Sequence, residues 1–266
     1  MNTNRPTVLA IGAHPDDVEI NCGGTLKLLR DQGCALHIAT MTLGDGGSKT
    51  LPPDQIRRLR RQEAERAAAL LGAKYHYVGS NDFAIFNDDL HNRRVTAVLR
   101  EIAPDIVLTH QHSDYMLDHE TTSVLVRNAC FYAPAPNYDT RAFTTSPALS
   151  AIPHLYYFDV MEGVDLYGRP VPPQFYTDIS EQIEFKTEML ACHTTQREWL
   201  RAQHGIDEYL DSMRAWSAKR GTEAAAIAGR PVTHAEAFRQ HLGHAYPRSN
   251  LLRELLGNKV IANPAY

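Results

Sequence analysis

Cysteine is sparse and scattered in this chain of 266 residues. Cys22, Cys34, Cys130 and Cys192 lie far apart and form no C-x-x-C pair, which argues against both a zinc–thiolate cluster and a disulfide framework. No apolar run reaches transmembrane length, so no membrane partner is expected. There is no basic excess either. Lys and Arg number 27 against 31 Asp and Glu, a formal net charge of -4, and no polycation is available to hold a phosphate backbone; nucleic acid is therefore not an expected partner. The stretch MNTNRPTVLAIGAHPDD has one Arg and an apolar run too short for a signal peptide, followed by acids where a cleavage site would stand, which makes cytoplasm the default location. A G-x-S-x-G elbow is missing, which removes support for a serine hydrolase. So is a true phosphate loop: GDGGSKT, Gly44 to Thr50, lacks the required spacing and follows the second strand instead of the first.

What is present is an ordinary globular composition, 43% hydrophobic and 22% charged, able to bury a sizeable core. Apolar runs alternate with amphipathic stretches over the first two-thirds of the chain, the pattern of β-α units around a largely parallel sheet. Strands are expected at Val8–Ala13, CALHIATMT, KYHYVG, DIVLTH and HLYYFDV. Helices are expected at Gly23–Asp31, over PPDQIRRLRRQEAERAAALLG with Pro at its start and Gly72 at its end, over LHNRRVTAVLREIAP, and from about Asp118. The Pro- and Thr-rich stretch APAPNYDTRAFTTSPALSAIP is expected as a long surface loop. Beyond residue 180 the expectation is mostly helical, from Glu181 to Met213 and from Thr233 to His241. The whole is read as an α/β protein forming one domain over 1–266, with a core at 1–180 and a mainly helical extension at 181–266.

Ligands of an open parallel sheet bind outside the carboxyl ends of its strands. Three polar clusters fall at such ends: His14-Pro15-Asp16-Asp17, TLGDGGS, and THQHSDYMLDHE. His14 and Asp17 are three apart in a turn stiffened by Pro15 and can reach one ion. Nitrogen plus carboxylate suits zinc, which in catalytic sites takes three protein ligands, and His119 is the candidate third from another strand end. Asp16 would then be free to act as a general base on water. The plainer alternative is that Asp16 or Asp17 caps a helix or turn. Gly46, in the second cluster, is a candidate for a wall whose backbone N–H groups contact substrate, with a plain turn as the alternative. The Trp199 and Tyr209 region is read as helix packing.

The order AHPDDVE (Ala13 to Glu19), GGTL, TLGDGG, RRQEAERAAALLG and Asp118-His119 resembles the PIG-L/LmbE-like family of zinc-dependent de-N-acetylases. The resemblance implies a Rossmann-like fold and one Zn(2+) per chain held by His14, Asp17 and His119. It further implies Asp16 as general base and an N-acetylated sugar or sugar conjugate as substrate, with Asp118 and Arg60 near it. Arg60 with Glu63 fits the family's R-x-x-E pattern, although Arg57, Arg58 and Arg61 crowd the assignment. Assemblies of three or six copies are implied as well. The family's H-x-D-H motif is altered here to Met116-Leu117-Asp118-His119, and a thioether has no acidic proton and accepts only weakly. Candidates for the missing donor are His193, favoured, then His112, with His110 and His154 also in view. An alternative is a metal-holding sugar or nucleoside binding protein whose catalysis has degenerated at Met116.

Overall fold

The computed structural model describes residues 5–204 and 208–266. Eight strands form one sheet in the order β3-β2-β1-β4-β5-β7-β6-β8. The first five are β1 (Thr7–Gly12), β2 (Ala35–Thr40), β3 (Lys74–Tyr77), β4 (Ile106–Thr109) and β5 (His154–Phe158), all pairing in parallel. β6 (Phe175–Asp178), β7 (Ala235–Gln240) and β8 (Val260–Ala262) pair antiparallel, β7 lying between β5 and β6. The helices are α1 (Asp17–Asp31), α2 (Pro53–Leu71), α3 (Asp89–Ile102), α4 (Leu117–Tyr132), α5 (Ile183–Ala191), α6 (Thr194–His204), α7 (Glu208–Ala228) and α8 (Leu251–Leu256). The result is a mixed α/β, Rossmann-like fold with a central sheet flanked by helices.

β1 shows why a central parallel strand is apolar throughout. Val8 and Ala10 enter the core shared with Val18, Cys22 and Leu26 of α1, while Leu9 and Ile11 enter the opposite core with Val95 and Leu99 of α3 and Leu125 and Val126 of α4. β1 and β4 lie side by side at the centre of the sheet, with α1 following the first and α4 the second. That adjacency sets the AHPDD and DH motifs face to face.

Three expectations are corrected. The first helix begins at Asp17, six residues before Gly23, because Gly23 and Gly24 lie within a continuous helix instead of opening one. Gly24 is a packing requirement, since a Cβ there would stand 2.8 Å from Ile179, whereas one on Gly23 would make only ordinary contact with Lys186 at 3.4 Å. The run Thr233–His241 is not helical. It contains β7, whose Ala, Glu, Arg and Gln favour a helix locally but are overridden by pairing on both edges. The expected helical extension therefore carries two strands of the main sheet, and no break in the sheet falls at residue 180. Residues 205–207, within the helical run expected from Glu181 to Met213, lie outside the described residues. Among the described residues no helix is long and apolar enough to cross a membrane.

Candidate functional site

Asp16 stands at the junction of β1 and α1 with φ 105, in the left-handed region that a non-glycine residue adopts only under constraint. This turn throws the two adjacent carboxylates in different directions. Asp17, the first residue of α1, faces His14 and α4; Asp16 faces α7.

On the Asp17 side three residues converge. His14 Nδ1 is 3.6 Å from Asp17 Oδ2, and His119 Nε2 is 3.4 Å from Asp17 Oδ1. Each ring gives its other nitrogen to an outer carboxylate: His14 Nε2 is 3.1 Å from Asp118 Oδ2, and His119 Nδ1 is 2.9 Å from Asp114 Oδ1. Outer carboxylates of this kind fix the ring orientation and tautomer of metal-binding histidines. Donor atoms that bind one tetrahedral ion at about 2.0–2.2 Å stand roughly 3.3–3.6 Å apart, and each histidine nitrogen lies at about that distance from an oxygen of Asp17. Candidate donor atoms of His14, Asp17 and His119 all lie within 4.8 Å of one another.

The charges agree with the geometry. Burial opposes protonation of His14, yet the hydrogen bonds to Asp118 and Asp17 raise its pKa to about 10. Against burial, the imidazoles of His119, His110 and His14 hold the Asp17 carboxyl well below the usual range. The pocket thus favours positive charge at the point where the three donors meet.

His110, named only as a spare histidine in the sequence, is part of this cluster. Its ring stacks on His119 with centroids 4.1 Å apart, and its Nε2 lies 3.1 Å from Asp17 Oδ2. His110, Asp114 and His119 also meet the spacing of a metal-binding group, but they share His119 with the first set.

On the other side, Asp16 Oδ2 accepts a 2.6 Å hydrogen bond from the Tyr209 hydroxyl of α7. Burial and the neighbouring Asp17 charge push the Asp16 carboxyl up to about 6, against the opposing effects of His193, Tyr209 and Arg60. A carboxyl in that range exchanges protons near neutral pH.

His193 is fully buried, with Nε2 3.3 Å from Glu19 Oε1. Burial lowers its pKa, but the Glu19 and Asp16 carboxylates more than offset this and the net shift is upward. Two residues of α2 hold its segment in place. Glu63 accepts from the Thr195 backbone N–H at 2.9 Å and from its hydroxyl at 2.6 Å, while Arg60 hydrogen-bonds Gln196 and the Gly47 carbonyl. The R-x-x-E pattern therefore acts as a clamp on the CHTTQ segment. The glycines of GDGG belong to the same construction, because Gly44 and Gly47 wrap the Arg60 side chain so closely that a Cβ on either would stand 2.4–2.6 Å from its guanidinium.

Several expected roles change. His112 points away: it is exposed, pairs with Ser123 Oγ at 3.0 Å and packs edge-on against Tyr157. His154 begins β5 at the opposite end of the sheet. Gly46 is near the site, but its N–H donates to Asp82 Oδ2 at 2.8 Å, so it is not free to meet a substrate. Asp118 is occupied by His14 and the Phe83 N–H. Met116 occupies the N-cap of α4, its carbonyl accepting from His119 and Glu120. Tyr209 was missed in its role because nothing local marks it: 193 residues separate it from Asp16. Asp114 and Glu19 lie inside the quoted motifs and carried a signal that was not used.

Residues 9–130 match the family model described as PIG-L: GlcNAc-PI de-N-acetylase. The 4-oxalmesaconate hydratase of Pseudomonas putida is 24% identical over 256 residues, covering 93% of this chain and 92% of that protein. The diacetylchitobiose deacetylase of Thermococcus kodakarensis is 28% identical over 201 residues, with 71% and 69% covered. Among solved structures, the 4-carboxy-2-hydroxymuconate hydratase GalB of P. putida KT2440 aligns with TM-score 0.75 at 22% identity, over 92% of this chain and all of that one, which shows a shared fold. The stretch that matches the de-N-acetylase family model, residues 9–130, is the one in which His14, Asp16, Asp17 and His119 stand.

Proposed function

We propose that the protein is a metal-dependent de-N-acetylase that releases acetate from an N-acetylated sugar or sugar conjugate. The observation that carries this reading is the division of labour at the AHPDD turn: Asp17 joins His14 and His119 in a three-donor set, while Asp16 is turned away with a raised pKa and one oxygen held by Tyr209. His14, Asp17 and His119 would hold the ion. Zinc suits their nitrogen and oxygen donors, and when bound it acts as a Lewis acid on water and on the acetamide carbonyl.

The chain's own groups do the rest. The Asp16 oxygen not engaged by Tyr209 takes a proton from the attacking water. His193, whose pKa the Glu19 and Asp16 carboxylates raise against burial, is the group placed to do what Met116 cannot: to donate to the oxygen on which negative charge develops or, through Asp16, to the departing amine. Loss of such a donor costs about 10²–10³ in rate where it is left unreplaced, and this magnitude favours a substitute over a vacancy. The reading includes one zinc ion per chain and an assembly of three or six copies, as the family resemblance implies, and the cytoplasmic location expected from the sequence.

A second reading has a specific basis. The relative matched along nearly the whole chain is a hydratase, and water activation without an acid at position 116 would suit addition of water to a double bond. Charge weighs against it. An oxo-acid anion is held best by a free guanidinium fork, and the buried guanidinium of Arg60 is already engaged by Gly47 and Gln196. A degenerate binding protein is the third possibility.

One assay separates the three. Purified protein with stoichiometric zinc is given a panel of N-acetyl sugars and, separately, an unsaturated carboxylic acid. Acetate release that drops at least about 10³-fold in Asp16→Asn, with zinc content unchanged, is the expected result. Unchanged turnover in that variant overturns the mechanism; water addition alone makes it a hydratase, and neither product makes it a binding protein.

A further inference from the structure

A cleft of about 340 Å³ opens beside the metal-ligand cluster. One wall is Asp114 and Tyr115, the first bonded to His119 and the second with its ring edge-on to His119 at 5.2 Å. The facing wall is the segment Val160–Leu166, where Glu162, Asp165 and Leu166 border the space. The lining holds three carboxylates and no cation. Asp114 is engaged by His119, and Asp165 by Arg169 and the backbone N–H groups of Tyr167 and Arg169.

Glu162 differs. Among the described residues its carboxylate meets no cation or hydrogen-bond donor, although its backbone is fixed with unusual care. It adopts φ 58 and ψ 0, a left-handed conformation that a glutamate side chain disfavours. Gly163 follows with φ 73, and a Cβ there would stand 2.6 Å from the Arg220 guanidinium. Arg220 grips Asp159 in a two-point ion pair and donates to the Val171 carbonyl, and Lys219 donates to the Glu162 carbonyl at 2.9 Å. Two residues of α7 thus hold a strained turn, and its exposed Glu162 borders the cleft with a carboxylate that no cation engages among the described residues. Strain of this kind persists only where the surroundings over-determine it.

We infer that this cleft receives the part of the substrate beyond its N-acetylated ring, and that Glu162 selects a neutral, hydroxyl-bearing group there and rejects an anionic one. This rests on the deacetylase reading for which ring enters the metal site. A carboxylate accepts hydrogen bonds from sugar hydroxyls, and Tyr115 and Leu166, both exposed, offer apolar surface for the carbon face of a sugar ring. A carboxylate or phosphate in the same place would face Glu162 with no cation in the lining to offset it, which is discrimination by repulsion.

The test uses calorimetric binding to the zinc-loaded full chain. The two probes are a hexose β-1,3-linked to N-acetylglucosamine and its hexuronic acid counterpart, with Asp16→Asn as the background to prevent turnover. The neutral disaccharide should bind at least about 10-fold more tightly, a difference of ~1.4 kcal/mol. Glu162→Gln should bring the two within about 3-fold, and Glu162→Lys should invert the order. Glu162→Asn, whose side chain tolerates the left-handed backbone, should behave as Glu162→Gln does if the charge and not the turn is responsible. Equal binding of the two probes, a ratio unchanged in the Gln and Asn variants, or no binding of the neutral probe overturns the inference. Discrimination without acetate release by the wild-type enzyme would sink the deacetylase reading and leave the role of Glu162 standing.

Discussion

The parallel half of the sheet and the antiparallel half contribute to one site by different means. In the parallel half, His14, Asp16 and Asp17 follow the end of β1 within five residues and His119 follows the end of β4 after ten, so this set is local in sequence to two neighbouring strands. The antiparallel half, with α5 to α7, sends in the groups that orient it: Tyr209 onto Asp16, His193 beside Glu19, and the Arg220 and Lys219 pair under Glu162. The difference teaches that the His14–Asp17–His119 set and the Asp16 carboxylate have separate supports, so each is open to perturbation on its own.

The largest break should come from the joint between the halves. Lys186 of α5 and Glu236 of β7 form an ion pair at 2.8 Å, with both side chains almost fully buried. The same Glu236 carboxylate accepts the Gly24 and Thr25 N–H groups of α1 at 2.9 and 2.7 Å. Removing one partner leaves a buried charge uncompensated, at a cost of about 3–5 kcal/mol. Lys186→Met should therefore lose stability on that scale in denaturant titration, and Lys186→Met combined with Glu236→Gln should recover part of it. A loss below about 1 kcal/mol would mean that the two halves are joined by other contacts.

A smaller and more selective effect is expected at Tyr209. Tyr209→Phe keeps the ring packed and deletes only the hydroxyl that fixes Asp16 Oδ2. The expectation is a roughly 10-fold fall in kcat, ~1.4 kcal/mol, with KM and zinc content unchanged. A fall in zinc content would show that the two supports are not separate, and an unchanged kcat would show that Asp16 is positioned by its own strained turn.

The same contrast explains what could be read in advance. The first five strands and the metal set were legible because each strand is a continuous apolar run and each ligand group follows its strand directly. β7 was hidden because AEAFRQ is written in residues that favour helices, and because its buried Glu236 looks like a surface charge until Lys186 and the N–H groups of α1 are placed around it. The start of α1 was hidden by Gly23 and Gly24, of which Gly24 is required by the close approach of Ile179. His193 was favoured over His112 on the polarity of its segment, and the structure brings it beside Asp16 while turning His112 toward Tyr157. The clamp made by Arg60 was hidden for a different reason: its partners, Gly47 and Gln196, come from two other segments.

The mildest test lies in the parallel half, at the edge pair of β2 and β3. His37 of β2 and His76 of β3 face each other across paired strands, with Nδ1 and Nε2 2.8 Å apart and rings stacked at 5.1 Å. Burial, then the neighbouring His76, lowers the His37 pKa from 6.5 to about 4. The folded state therefore binds a proton there less readily than the unfolded state does. The sign follows from linkage: stability from this site is complete above pH 6.5 and is lost progressively as pH falls from 6.5 towards 4. His37→Gln keeps a hydrogen-bonding partner for His76 and removes the titrating ring. Its melting temperature should track the wild type at pH 8 and decline less on acidification to pH 5, by about 2–4 °C, corresponding to ~1 kcal/mol. Parallel curves for the two proteins would move the acid sensitivity of the fold out of this strand pair and into the buried carboxylates of the antiparallel half.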